Sequence, residues 1–201
     1  MSSTQAMSES LTMLLRTLRL PSFVDRYEDL AVTGERHGWS FGQYLHQLAE
    51  TEVEDRRRRR IERALKASGL PSEKTLATLE RKRFPVKVRR LIPTLCDGSF
   101  VERAENLLAF GLPGRGKTHL MCAIGHELIQ LGFRVLFVPA YRLVQQLLIA
   151  KRDLRLEAML KRLDRFDAVI LDDIGYIQQD RDEMDVLFTF LAERYERRSV
   201  M

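Results

Sequence analysis

The sequence has few of the residues and runs that mark secreted, zinc-binding or membrane-spanning proteins. Its 201 residues include only two cysteines, Cys96 and Cys122. They lie far apart and form no C-x-x-C pair, so neither a disulfide framework nor a zinc site is predicted. No run approaches ~18 consecutive apolar residues, and the N-terminus lacks the basic-then-apolar plan of a signal peptide. We therefore expect a cytoplasmic protein without a membrane partner.

The composition is that of a folded globular chain, with 45% hydrophobic and 30% charged residues. The net charge of +5 is modest but unevenly placed, because residues 56–90 hold 14 Lys or Arg against 3 Glu, a local charge of +11. Residues 106–201 hold 14 basic against 13 acidic residues. A basic block favours a polyanionic partner through phosphate contacts, which makes duplex DNA a candidate. A solvated, charge-laced helix is the alternative, and the composition leaves both open.

The N-terminal half has helical periodicity. We predict a helix that is bent or broken at Pro21 and closed at Thr33–Gly34, and a second helix that is capped by Ser40 and ends at Gly69. Five consecutive arginines, residues 56–60, point in every direction around that second helix, so some must be solvated or paired with nearby acidic residues. Residues 72–98 are predicted to form short helices broken by Pro85 and Pro93.

From residue 106 onward, strands and helices alternate. The predicted strands are Asn106–Phe110, Phe133–Val138 and Ala168–Leu171, and the predicted helices are Lys117–Leu131, Tyr141–Lys151, Leu154–Leu163 and Glu183–Arg197. This alternation predicts an α/β fold in which a parallel sheet is covered by helices on both faces. We expect two domains, a helical, basic N-terminal domain over residues 1–98 and a nucleotide-binding core over residues 99–201.

The segment from Gly111 to Thr118 fits the pattern G-x-x-x-x-G-K-[ST] and lies between a predicted strand and a predicted helix, as phosphate binding requires. Glycines let the backbone N–H groups point at phosphates, and the helix N-terminus adds partial positive charge. Lys117 is expected to reach the β and γ phosphates of ATP, and Thr118 to bind Mg²⁺. The expected ATP-binding residues are Gly111, Leu112, Pro113, Gly114, Arg115, Gly116, Lys117, Thr118 and His119; no catalytic role is predicted for His119.

A P-loop needs an acidic residue at the tip of a neighbouring strand to hold the metal ion. The run Val169-Ile170-Leu171 followed by Asp172 supplies it. Asp172 is the expected second Mg²⁺ residue beside Thr118, and Asp173 is expected to polarise the attacking water. The predicted catalytic set is Lys117, Asp172 and Asp173.

Several further runs resemble the IstB-like ATP-binding proteins, which are AAA+ helper ATPases of insertion-sequence transposition related to DnaC helicase loaders. The residues that carry the resemblance are Gly116-Lys-Thr-His-Leu120, Ala123-Ile-Gly-His-Glu-Leu-Ile-Gln130, Asp172-Asp-Ile-Gly-Tyr176 and Ala192-Glu-Arg-Tyr-Glu-Arg-Arg-Ser199. The resemblance implies a P-loop NTPase of the AAA+ type that hydrolyses ATP. It also implies that the protein assembles with ATP as a homo-oligomer on duplex DNA and delivers the target to a transposase.

The resemblance also implies a sheet order of 5-1-4-3-2. In that order the strand that begins at Ser199 lies between the strands Asn106–Phe110 and Ala168–Leu171. A sheet that is incomplete at the C-terminus, without sensor residue, arginine finger or lid, is expected to be poorly stable and to lack ATP turnover, and the chain is predicted to be truncated. A DnaC-type helicase loader and a nucleotide-binding remnant without turnover remain alternatives to the transposition helper.

Overall fold

The computed structural model describes residues 3–176 and 180–201. The chain forms two compact units, Met1–Arg60 and Ile61–Met201. Residues 61–98 therefore belong to the same compact unit as the P-loop. A division of function at residue 98 stays a prediction, because packing units and functional domains need not coincide.

The first unit is helical. Helix α1 (Ser3–Thr17) and helix α2 (Pro21–His37) are separate, with Pro21 in the first turn of α2, so the predicted break is confirmed. The predicted end at Thr33–Gly34 is wrong. Gly38, and not Gly34, takes the left-handed conformation (φ 65°) that closes the helix with backbone bonds from its N–H.

Helix α3 (Phe41–Ser68) begins at the predicted cap and ends at the predicted glycine. The Ser40 hydroxyl accepts a bond from the Gln43 N–H at 3.2 Å, and Gln43 Oε1 accepts one from the Ser40 N–H at 2.7 Å. This reciprocal pair is a capping box, which satisfies two backbone donors at once. Gly69 follows with a φ of 69°.

Part of the arginine run is bound to acidic side chains, as predicted. Glu52 is only 3% exposed and accepts bonds from the Ser22 N–H at 2.9 Å and from Arg56 at 2.6 Å. Burial acts to raise the pKa of Glu52, but the hydrogen bonds from Arg56 and Ser22 outweigh it and hold that pKa below its usual value. Arg58 pairs with Asp55 at 2.6 Å.

The second unit begins within α3 and continues with a 3₁₀ turn (Arg81–Arg83), helix α4 (Val86–Cys96) and the short helix α5 (Ser99–Glu102). Pro85 precedes α4, as predicted, but the predicted break at Pro93 is wrong because α4 continues through it. A proline forfeits one helical hydrogen bond. The helix persists because Ile92 is buried in the core and Leu95 packs against it.

The sheet consists of β1 (Val135–Pro139), β2 (Ala168–Asp172) and β3 (Ser199–Val200), in that order and all parallel. The β2–β3 ladder continues one residue further, since Met201 donates to the Val169 carbonyl and Leu171 donates to the Met201 carbonyl, both at 2.8 Å. The expected neighbours of the Ala168 strand are therefore confirmed on both sides.

The predicted strand Asn106–Phe110 is wrong as a regular strand. Its first residues nevertheless lie beside β3, which is the neighbour that the expected sheet order gives to this segment. Leu107 donates a backbone bond to the Val200 carbonyl at 3.0 Å. The Val200 N–H, however, donates to the side-chain oxygen of Asn106 at 2.8 Å. A side chain thus takes the donor that a ladder would direct to a backbone carbonyl, and no ladder forms.

Helices cover both faces of the sheet, as predicted. They are α6 (Lys117–Leu131), α7 (Ala140–Arg152), α8 (Leu156–Leu163) and α9 (Arg181–Arg194). Along β2, Ala168 and Ile170 lie in one buried cluster with α6, whereas Val169 and Leu171 lie in another with α7 and α9. Alternate strand residues point to opposite faces, which explains the division.

Close packing of α6 against the sheet requires a glycine. A Cβ atom on Gly125 would lie 2.9 Å from Cδ1 of Ile170. This contact brings the backbone of α6, which begins at the P-loop, close to β2. None of the helices within residues 3–176 and 180–201 is long and apolar enough to cross a membrane.

Candidate functional site

The predicted phosphate-binding loop leads directly into α6. Gly114 and Gly116 have φ angles of 72° and 85°, in the left-handed region that favours glycine, and Gly116 caps the helix. Residues 111–115 are exposed. Left-handed glycines directly before a helix are typical of loops whose backbone N–H groups bind an anion, so this backbone is compatible with the predicted phosphate site.

The side chain of Lys117 turns back onto the loop. Its ammonium donates to the carbonyl of Gly111 at 2.7 Å and to that of Leu112 at 3.1 Å. The positive charge thus lies within the curve of the loop, where a phosphate would meet it. The two carbonyls orient the ammonium without neutralising its charge.

Thr118 and Asp172, the two residues expected to hold a metal ion, are in direct contact. The Thr118 hydroxyl donates to Asp172 Oδ1 at 2.8 Å. Thr118 lies in the first turn of α6, and Asp172 is the last residue of β2. The carboxyl end of a parallel strand and the N-terminus of a helix therefore meet here, which is the usual place for ligand binding in α/β folds.

Asp173 follows β2 and is exposed, with a φ of 57°. This left-handed conformation is uncommon for a residue with a side chain, although aspartate tolerates it better than most. Such backbone strain concentrates at functional sites. The geometry is compatible with the predicted contact to water, and the role of Asp173 stays a prediction.

The ring of His119 contacts a neighbouring loop. Its Nε2 lies 3.2 Å from the Thr75 carbonyl and 3.1 Å from the Thr78 hydroxyl. The imidazole thus attaches the first turn of α6 to residues 75–78. Its predicted part in ATP binding stays a prediction, and any such part falls to its backbone while the ring keeps these bonds.

The donor set fits Mg²⁺ bound together with a nucleotide. Within residues 3–176 and 180–201, no group of three or more His, Cys, Asp or Glu side chains could hold a metal ion by itself. Mg²⁺ commonly uses one or two protein oxygens, with phosphate and water oxygens completing its octahedron. Thr118 and Asp172 offer such a partial set. Burial raises the pKa of the neighbouring Cys122 thiol to about 12, so this thiol stays protonated near neutral pH.

Sequence reasoning missed the structural part played by Arg194. Its side chain is 2% exposed and donates to the carbonyls of Leu163, Phe166 and Ser199 at 3.1, 3.0 and 2.9 Å. Burial lowers the pKa of this guanidinium to about 10, so it stays charged near neutral pH. Arg194 lies within the run Ala192–Ser199, which carries part of the family resemblance, and this was the only hint in the sequence of its importance. The sequence does not show which backbone carbonyls the side chain binds.

Comparison with known proteins agrees with this geometry. Residues 13–201 match the family described as IstB-like ATP binding protein. A candidate insertion-sequence ATP-binding protein of Sinorhizobium fredii is 41% identical over 192 residues, which cover 95% of this chain and 64% of that protein. The candidate ATP-binding proteins of insertion sequences IS5376, from Geobacillus stearothermophilus, and IS21, from Pseudomonas aeruginosa, are 34% and 35% identical and are covered over 78% and 72% of their lengths.

The match includes almost the whole chain, whereas the chain spans just under two thirds of the Sinorhizobium fredii relative. The matched region contains the P-loop, the Asp172 strand and the helices on both faces of the sheet. This chain belongs to the family of IstB-like ATP-binding proteins.

Proposed function

We propose that the chain is an ATP-dependent helper of insertion-sequence transposition, which binds Mg²⁺–ATP, assembles as a homo-oligomer on duplex DNA and acts with the transposase of the same element in the cytoplasm. The observation that carries the proposal is the bond between Thr118 and Asp172, which joins the end of β2 to the first turn of α6. Lys117, the other group that a P-loop ATPase needs, precedes Thr118 in the same turn. The relatives named for insertion sequences support the setting.

In this proposal each residue has a defined task. The N–H groups of residues 114–116 bind phosphate oxygens, and the ammonium of Lys117 exchanges its carbonyl partners for the β and γ phosphates. The Thr118 hydroxyl and the Asp172 carboxylate hold the metal ion, which supplies charge neutralisation on the phosphates when it is bound. Asp173 orients and deprotonates the attacking water, and this step makes the chain an ATPase.

DNA binding is proposed for cations that the protein does not itself neutralise. Arg57 and Arg60 are exposed and have no ion pair in the part of the chain that the structure describes. Arg56, Arg58 and Arg59 are bound to carboxylates. Phosphate contacts by exposed cations give affinity that tolerates sequence and falls with salt.

The proposal is tested by measuring three properties of the purified chain. A titration with a fluorescent ATP analogue should show binding that requires Mg²⁺. A gel shift with a labelled duplex should show complexes that become larger with the nucleotide, and co-purification should retain the transposase of the same element. Binding to a replicative helicase in place of duplex DNA and transposase would instead assign the chain to the helicase loaders. Phosphate release from ATP reports turnover, and nucleotide binding without it would assign the chain to a non-hydrolysing remnant.

A further inference from the structure

A segment of the second unit joins the phosphate-binding loop to a basic surface. We propose that the ring of Phe84 couples nucleotide binding at the P-loop to DNA binding by the basic segment, defined as residues 81–90. The inference rests on the proposed function, because it assumes that the chain binds both ATP and duplex DNA. It adds the residue that transmits the effect and the surface that responds.

The basic segment has many positively charged side chains and no acidic ones. It contains six Lys or Arg residues and no Asp or Glu. All six are exposed, and among them only Arg83 has an ion pair in the described part of the chain, with Glu80 at 2.6 Å. The six residues are Arg81, Lys82, Arg83, Lys87, Arg89 and Arg90. Five exposed cations without ion pairs, close together in the chain, match the repeated phosphates of a nucleic acid.

The fold explains why these charges face outward. The apolar side chains of α4, namely Val88, Ile92 and Leu95, pack into the cluster that also contains residues of α6. The basic residues occupy the remaining positions of the 3₁₀ turn and of the first turns of α4, which solvent reaches. The segment therefore has one face fixed to the nucleotide-binding core and one face free for a partner.

Phe84 lies in the middle of this segment and touches the loop. A Cβ atom on Gly116 would be 3.2 Å from Cζ of Phe84, which is closer than ordinary van der Waals contact. Gly116 stands directly before Lys117, in the loop to which the proposed function assigns the phosphates. The ring therefore lies against the glycine, in the space that a side chain would otherwise occupy. A packed neighbour of this kind can transmit a change in the loop backbone to the residues that follow Phe84.

A second attachment keeps the preceding residues on the same helix. His119 Nε2 contacts the Thr78 hydroxyl at 3.1 Å, and His126 Nε2 contacts the Pro71 carbonyl at 3.0 Å. Residues 71–78 are thus tied to α6 at two points, one in its first turn at His119 and one about two turns further along at His126. The ring of Phe84 is then the contact through which the following basic residues respond to the loop itself.

The test measures coupling and not only binding. The affinity for a labelled duplex is measured with and without a non-hydrolysable Mg²⁺–ATP analogue, and the nucleotide should strengthen wild-type DNA binding by at least ~5-fold, the lower end of ordinary allosteric coupling. Phe84→Leu should reduce that ratio to about 1 while each ligand alone still binds. Phe84→Tyr, which keeps the ring, should retain the ratio, and Phe166→Leu in the cluster on the other face of the sheet is the control.

A surface variant provides a test that does not disturb packing. Lys82→Gln with Arg89→Gln should weaken DNA binding and remove the effect of DNA on nucleotide affinity, while nucleotide affinity without DNA stays unchanged. Arg162→Gln with Arg165→Gln removes the same charge elsewhere and should change neither. A wild-type ratio of 1, or a ratio that Phe84→Leu leaves unchanged, overturns the inference alone. A wild-type chain that binds no duplex overturns both the inference and the proposed function.

Discussion

The hydroxyl of Thr118 donates a hydrogen bond to Oδ1 of Asp172 at 2.8 Å, across 54 positions of sequence. The bond joins the start of α6 to the end of β2. Thr118 and Asp172 are the residues that would hold a metal ion here, and the ion would supply charge neutralisation for the phosphates. The pair therefore forms before the ligand arrives, which reduces the ordering that binding requires.

Asp172→Asn should remove the Mg²⁺ dependence of nucleotide binding. The amide keeps the shape of the side chain but loses the negative charge that a hard divalent cation prefers. We expect affinity for the ATP analogue to become nearly equal with Mg²⁺ and with a chelator, as measured by titration under both conditions. Asp153→Asn, at an exposed residue paired with Arg152, is the matched control. A Mg²⁺ effect that persists in the Asp172→Asn variant would exclude Asp172 as the metal residue.

Lys117→Ala should weaken ATP binding by at least ~10-fold, because a charge-assisted phosphate contact contributes more than ~1.4 kcal/mol in a partly enclosed loop. Titration with a fluorescent ATP analogue measures the change. Lys151→Ala is the control, since Lys151 lies at the end of α7 and pairs with Asp182. Equal affinities of wild type and Lys117→Ala would show that the nucleotide site lies elsewhere.

Arg57→Gln with Arg60→Gln should lower duplex affinity and flatten the dependence of that affinity on salt by roughly two units of slope, about one for each lost phosphate contact. These two arginines are chosen because Arg58, their neighbour, is held by Asp55. Gel shifts at several salt concentrations give the slope. The double variant Arg162→Gln and Arg165→Gln removes the same charge elsewhere and is the control. If the salt dependence of duplex affinity is unchanged in Arg57→Gln with Arg60→Gln, the arginine run is a solvent-exposed helix face and does not bind DNA.

Acid should loosen the first unit through Glu52. Its pKa is held below the ordinary value of 4.5, so its stabilising effect is fully present above that value and is lost as pH falls through the folded-state pKa. Hydrogen exchange should show the amides at the start of α2, including Ser22, losing protection as the pH falls below 4.5. In Glu52→Gln the protection of these amides should already be lower at neutral pH, and it should depend less on pH. The opposite result, a wild-type α2 indifferent to acid, would contradict the role of this carboxylate.

Arg194→Leu should destabilise the second unit by roughly 2–4 kcal/mol, because several buried carbonyls would lose their donor at once. Denaturant unfolding, followed by a spectroscopic signal from residues of the second unit, measures the decrease in the free energy of unfolding. Arg197→Leu is the matched control, since Arg197 is exposed and its charged partners Asp164 and Glu193 lie at the surface. Surface pairs of this type contribute little, so the control should change stability by less than ~1 kcal/mol. Equal effects of the two variants would contradict the structural role of Arg194.

The sequence by itself determined the features that depend on local chemistry and short periods. The glycines before Lys117, the apolar run before Asp172 and the Ser40 cap each specify their own backbone, so the P-loop, the buried strand and the start of α3 could be predicted from neighbouring residues. The β-α alternation likewise determined that the sheet is parallel and covered on both faces.

Only the tertiary structure decided which distant groups meet. Asn106 takes a backbone donor of Val200 and prevents a ladder that its own segment favours. Arg194 donates hydrogen bonds to backbone carbonyls of both α8 and β3. Phe84 lies on Gly116, although nothing in the residues around it distinguishes it from any other partly buried aromatic. These contacts join residues far apart in the chain, and their energies depend on packing that a local pattern does not contain.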